Sequence, residues 1–187
     1  MSNPDEQAKQ TVKHPTLAEE IAEHNVFKLG RQEGKTVRVG DTRLTWKTRG
    51  ENTGYQFAVY EMTLDPDAGI PLHKHPYPEF FYVLEGRVDF GRLGADGAQE
   101  WLQATAGESV TVPSNAPHAF QNRTGQAARF LEVSTHYHEV VFDKAATEIG
   151  IDDPLPAPDP AELARFSEAA AQVQGFWVEL EEPKKTS

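Results

Sequence analysis

From Thr36 onward the sequence is cut into short stretches of β-branched and aromatic residues, with turn signals recurring between them about every 8–12 residues. Candidate strands fall at 36–39, 43–48, 55–64, 70–75, 80–84, 87–93, 100–104, 109–112, 118–122 and 129–135, and 140–142 would add one more at an edge. Such punctuation leaves no room for long helices. It points to an all-β sandwich or barrel. Gly94-Ala95-Asp96-Gly97 reads as a hairpin turn, because Asp-Gly accepts the positive φ angles that tight turns need.

Helices are expected only on the flanks. Thr16 can cap a helix and Glu19 can close a capping box, so one is predicted from Pro15 to about Phe27 or Lys28, with Leu17, Ile21 and Phe27 inward. The acidic, proline-rich run 150–160 reads as an extended connector. A second helix should follow it, with Asp159 as cap, Pro160 in the first position, Glu162 as capping-box carboxylate and Gly175 at the end. Leu163, Phe166, Ala170 and Val173 share one face, expected with Phe176 and Trp177 to pack outside the barrel or on a second subunit. The 187 residues therefore divide into an N-terminal extension (1–35), a β-barrel (36–142), and a connector, helix and tail (143–187).

The chain has no cysteine, so any metal must be held by nitrogen and oxygen. With 29 acidic against 18 basic residues the net charge is −11, which disfavours nucleic acid and anionic membrane as partners. The first residues lack the apolar core of a signal peptide and no run approaches a membrane span, so cytoplasmic residence is expected.

The chemistry concentrates in Gly69-Ile70-Pro71-Leu72-His73-Lys74-His75-Pro76-Tyr77-Pro78-Glu79. In a strand, His73 and His75 share one face and Lys74 points the other way, so two imidazoles stand ready for a further ligand. Pro76 and Pro78 cannot continue a ladder, and the turn they enforce should return Glu79 beside the histidines. A second stretch, Gly107 to Asn122, ends one strand at Pro113 and opens the next with His118. Three imidazoles and a carboxylate suit Fe, Mn, Ni, Cu or Zn better than Mg or Ca.

These two stretches resemble the paired motifs of the cupin superfamily. The pattern G-x5-H-x-H-x3,4-E-x6-G is matched by His73, His75, Glu79 and Gly86, with Asp67 where the first glycine belongs and Gly69 two residues later. The pattern G-x5-P-x-G-x2-H-x3-N is matched by Gly107, Pro113, His118 and Asn122, with Asn115 replacing a glycine; Asn tolerates the left-handed conformation well. The resemblance spans about 36–142. It implies a double-stranded β-helix (jelly-roll barrel) that holds one divalent metal through His73, His75, Glu79 and His118, assembled as a homodimer.

It also implies an enzyme acting on a small organic molecule, with dioxygenation as in the quercetin dioxygenase-like branch the leading expectation and Glu79 a general base. The alternatives are non-oxidative isomerase, lyase or cyclase chemistry, or a ligand-binding protein without catalysis. Alternation places Phe81, Val83 and Phe120 inside the barrel, so Phe81 and Phe120, with Tyr60 and Met62, are candidate substrate-lining residues. Asn122 is expected to order a strand end. His136-Tyr137-His138 follows the last barrel strand without a third ligand nearby and is expected to be exposed or at a subunit contact, with His14 and His24 on the surface.

Overall fold

In β3 (Ala58–Leu64), β5 (Glu79–Glu85) and β10 (Ala128–Ser134) alternate residues are buried, the period of strands with one face on a core. The computed structural model describes residues 25–155 and 160–178. The remaining strands are β1 (Thr36–Val39), β2 (Thr42–Thr48), β4 (Gly69–Lys74), β6 (Arg87–Leu93), β7 (Gln99–Thr105), β8 (Ser109–Val112), β9 (His118–Gln121), β11 (Thr147–Glu148) and β12 (Phe176–Trp177), with helices α1 (His136–Ala145) and α2 (Pro160–Gln172). They form a seven-stranded sheet, β11-β1-β2-β3-β10-β5-β8, and a five-stranded sheet, β12-β4-β9-β6-β7. All pairings are antiparallel.

Between the sheets the rings of Phe81, Phe90, Phe120 and Phe130 pack with centroids 5.1–6.4 Å apart. Leu44, Tyr60, Leu64 and Val83 are fully buried around them. This core fills one part of the barrel and leaves the other for the site.

The motif positions reserved for glycine all require left-handed backbone. Asp67 (φ +67°), Gly86 (+74°), Gly107 (+92°) and Asn115 (+64°) adopt it, so the two substitutions keep the conformation while changing the residue. Gly69 serves a different need. A Cβ there would lie 2.3 Å from the Phe120 carbonyl oxygen, on the β9 backbone. Gly69→Ala is therefore expected to force β4 from β9 and cost about 1–3 kcal/mol in urea unfolding. An unchanged midpoint would refute that reading.

The flanks depart from the sequence reading. Most of the N-terminal helix, with Leu17, Ile21, His14 and His24, lies outside the described residues, and residues 25–29 are not helical. Phe27 is 54% exposed, not inward. The edge strand expected at 140–142 is instead part of α1. Glu139, Phe142 and Ala145 are buried there at helical spacing, and that amphipathic fit overrides the β propensity of Val140 and Val141.

In α2 the buried residues are Glu162, Phe166 and Ala169, while Leu163 is 47% exposed. Glu162 pairs with Arg38 of β1 in a buried ion pair, a role the capping-box reading did not assign. Asp159 lies outside the described residues. No helix among the described residues is long and apolar enough to cross a membrane.

Candidate metal centre

The site forms where the two sheets face each other beside the aromatic core. His73 of β4 stands directly opposite His118 of β9 in register. His75 follows β4, and the Pro76–Pro78 turn then carries the chain into the other sheet. Glu79 opens β5 there, opposite Ser134 of β10. The carboxylate thus meets the imidazoles from across the barrel, not along their own sheet.

Backbone carbonyls set the tautomers. Nδ1 of His73 lies 2.9 Å from the Pro71 oxygen, Nδ1 of His75 2.8 Å from the Tyr77 oxygen, and Nδ1 of His118 2.9 Å from the Ala116 oxygen. A carbonyl can only accept, so each Nδ1 donates and each Nε2 is left with a lone pair. The ligand atoms of His73, His75 and His118 lie within 4.8 Å of one another. Tyr77 stacks on His75 at 4.0 Å and adds to the packing that holds that ring.

Glu79 completes the set. Its Oε1 lies 3.1 Å from His75 Nε2 and its Oε2 2.9 Å from His118 Nε2. Those three atoms, Glu79 Oε2 and both Nε2, are buried and make no aligned hydrogen bond. Lone pairs facing lone pairs at this distance repel unless a cation lies between them. Ligands about 2.0–2.1 Å from one ion at right angles are about 2.9 Å apart, close to the separations of Glu79 from His75 and from His118. His73, His75, Glu79 and His118 are the residues that would hold it.

For His73 and Glu79 the protonation balance agrees with that use. Burial, then the neighbouring His118, lowers His73 to about 3, which keeps its imidazole neutral. Burial acts to raise the Glu79 carboxyl, but contacts from His118, His138 and His75 hold it well below the ordinary range. Burial likewise opposes protonation of His118, and Glu79 more than offsets it, so His118 is raised.

His138 departs from the sequence reading of His136-Tyr137-His138. His138, from the first turn of α1, is neither exposed nor isolated. Its Nδ1 sits 3.0 Å from Glu79 Oε1 and 2.8 Å from Glu132 Oε1. Burial pulls His138 down, yet Glu132 and Glu79 carry it up to about 10, while burial raises Glu132. The signal was helical spacing: His138, Val141 and Phe142 share the α1 face that meets the cavity. His136 and Tyr137 of the same triplet do not line it.

The cavity above the donors is about 430 Å3. Met62 and Phe120 line it, whereas Phe81 and Tyr60 do not. Both are fully buried in the core, because alternation fixes which face a residue takes but not how deep along the barrel it lies. Lys74 lies at the cavity wall beside Phe176 of β12. Asn122 does order a strand end: its Nδ2 donates to the carbonyls of Leu64, Asp65 and Gln126, and its Oδ1 accepts from Thr124.

A family model described as Cupin domain matches residues 60–134, the stretch from β3 through β10 that carries all four donors. The barrel is a cupin domain. Among solved structures, this cupin is similar to the polyketide cyclase RemF from Streptomyces resistomycificus, at 27% identity and TM-score 0.51, over 59% of this chain and 80% of that one. It is also similar in fold to a predicted oxalate decarboxylase from Thermotoga maritima, at 20% identity and TM-score 0.50, over 57% of this chain and 97% of that one. No curated protein matches the chain in sequence. Outside residues 60–134, α1, α2 and β12 bring Phe142, Phe166 and Trp177 to the cavity.

Proposed function

We propose that this cupin is a metal-dependent enzyme that binds a mainly apolar, ring-forming oxygenated substrate and promotes its cyclisation without net oxidation. The observation that carries this reading is the lining of the cavity. Around His73, His75 and Glu79 the lining is mainly apolar, with Met62, Ile70, Phe120, Val141, Phe142 and Phe166, joined by the polar Asp41, Lys74, Ser167, Glu132 and His138. An apolar skeleton fits the apolar part of it, and a substrate oxygen has reason to approach the donors. The likeness to a polyketide cyclase supports cyclisation over other reactions of such a site.

A divalent ion bound there would polarise a substrate carbonyl or enol as a Lewis acid. The chain's own residues do the rest. The apolar walls exclude water from a reactive enolate and fold the chain of the substrate against itself. Glu79 is the group placed to accept a proton from an enolisable position next to that oxygen.

The test is turnover of the purified, metal-loaded protein on linear and aromatic poly-β-ketones, with oxygen uptake recorded alongside. A cyclised product with no oxygen consumed is expected. One O2 consumed per turnover, with flavonols or catechols as the better substrates, would overturn cyclisation and assign a dioxygenase. Tight binding of such compounds without turnover would leave a ligand-binding protein. Phe120→Ala should raise KM for the apolar substrate about tenfold or more, because it removes roughly 1.5–3 kcal/mol of apolar contact.

A further inference from the structure

We infer that Glu132 and His138 act as a positioning pair for Glu79. This rests on the metal-binding reading of the site. The four donors His73, His75, His118 and Glu79 carry one negative charge among them, since the imidazole Nδ1 protons are committed to carbonyls. Glu79 is therefore the one anionic donor of the set, and its orientation bears directly on the ion.

Glu132 is the second carboxylate in this part of the barrel. It sits on β10 two residues before Ser134, which pairs with Glu79, so both residues face the same interior. Its side chain is 2% exposed, and Oε1 is buried with no aligned hydrogen bond. A carboxylate buried there needs a partner close by, and His138 stands 2.8 Å from it.

His138 connects the two. Its Nδ1 lies 2.8 Å from Glu132 Oε1 and 3.0 Å from Glu79 Oε1, against the carboxylate oxygen that does not face His118. T-shaped contact with Tyr60 at 6.1 Å and packing on Phe142 at 4.4 Å hold the imidazole itself. Together with Glu79 the pair forms a second group of donor atoms within 4.8 Å of one another, separate from the His73–His75–His118 group. Carboxylates and histidines that brace a ligand in this way typically set about 10–100-fold of metal affinity.

The experiment is titration of the metal-free full chain with Zn(II) for affinity and with Co(II) for the visible spectrum. Wild type, Glu132→Gln, His138→Gln and the double variant are compared, with circular dichroism and apo-protein melting as the fold control. Glu132→Gln is expected to keep the apo melting point, weaken Zn(II) binding about 10–100-fold and shift the Co(II) bands. The double variant should be no weaker than His138→Gln, because Glu132 acts through His138. Unchanged affinity and spectrum in Glu132→Gln would overturn the inference, as would losses that simply add. Two ions per chain, one of them lost with His138, would also overturn it, since the pair would then be ligands of a second ion. Failure of wild type to bind either metal would instead defeat the metal-binding reading itself.

Discussion

Replacing His118 by alanine is expected to empty the metal centre. Apparent binding free energies for four-ligand zinc sites run to roughly 10–16 kcal/mol, so one of four ligands carries about 3 kcal/mol, a loss on the order of 100-fold in affinity. His118 matters more than its share, because its Nε2 lies 2.9 Å from Glu79 Oε2 and it pairs in register with His73. Elemental analysis after dialysis should find close to one ion per wild-type chain and almost none in His118→Ala. Thermal melting provides the independent check. Chelator should lower the melting temperature of wild type, since the ion binds only the folded chain, and leave that of the variant unchanged. Equal metal content in the two proteins would remove His118 from the ligand set.

The second large effect is expected far from the donors. Arg38→Met should cost about 3–5 kcal/mol in urea unfolding, because it leaves the Glu162 carboxylate buried without the guanidinium beside it. Both partners are almost fully enclosed, with side chains 7% and 1% exposed, so solvent does not screen the loss. The consequence reaches the site. Glu162 ties α2 to β1, and α2 presents Leu163, Phe166, Ser167 and Ala170 to the cavity. Ser167 Oγ in turn accepts a hydrogen bond from the Trp177 indole at 2.9 Å, and Trp177 pairs with His73 across β12 and β4. Loosening α2 should therefore open one wall and red-shift tryptophan emission before global unfolding. Adding Glu162→Leu should restore much of the stability, since no buried charge then remains. A single variant as stable as wild type would show that the ion pair is worth nothing net.

How much of this was legible beforehand differs from element to element. The strand–turn rhythm announced the two-sheet barrel, because a period of two and a turn residue are local properties of the chain. The left-handed backbone at Asn115 was legible for the same reason: residue type and conformation are linked at one position. α1 was misread as an edge strand, since Val140, Val141 and Phe142 favour strands locally and only burial against the barrel selects the helix. Phe81 and Phe120 were equally good lining candidates by alternation, yet only Phe120 reaches the cavity.

The donors divide in the same way. By itself the sequence paired His73 with His75 and pointed to Glu79 through the proline-bounded turn, chemistry written at short range, while His118 joined them through the resemblance to the cupin motifs. Tertiary structure alone decided that Glu79 comes from the facing sheet, that backbone carbonyls turn each Nε2 toward it, and that Glu132 and His138 stand behind it. Those are contacts between residues far apart in the chain, and their distances depend on how two sheets and a helix pack. No local pattern encodes that packing.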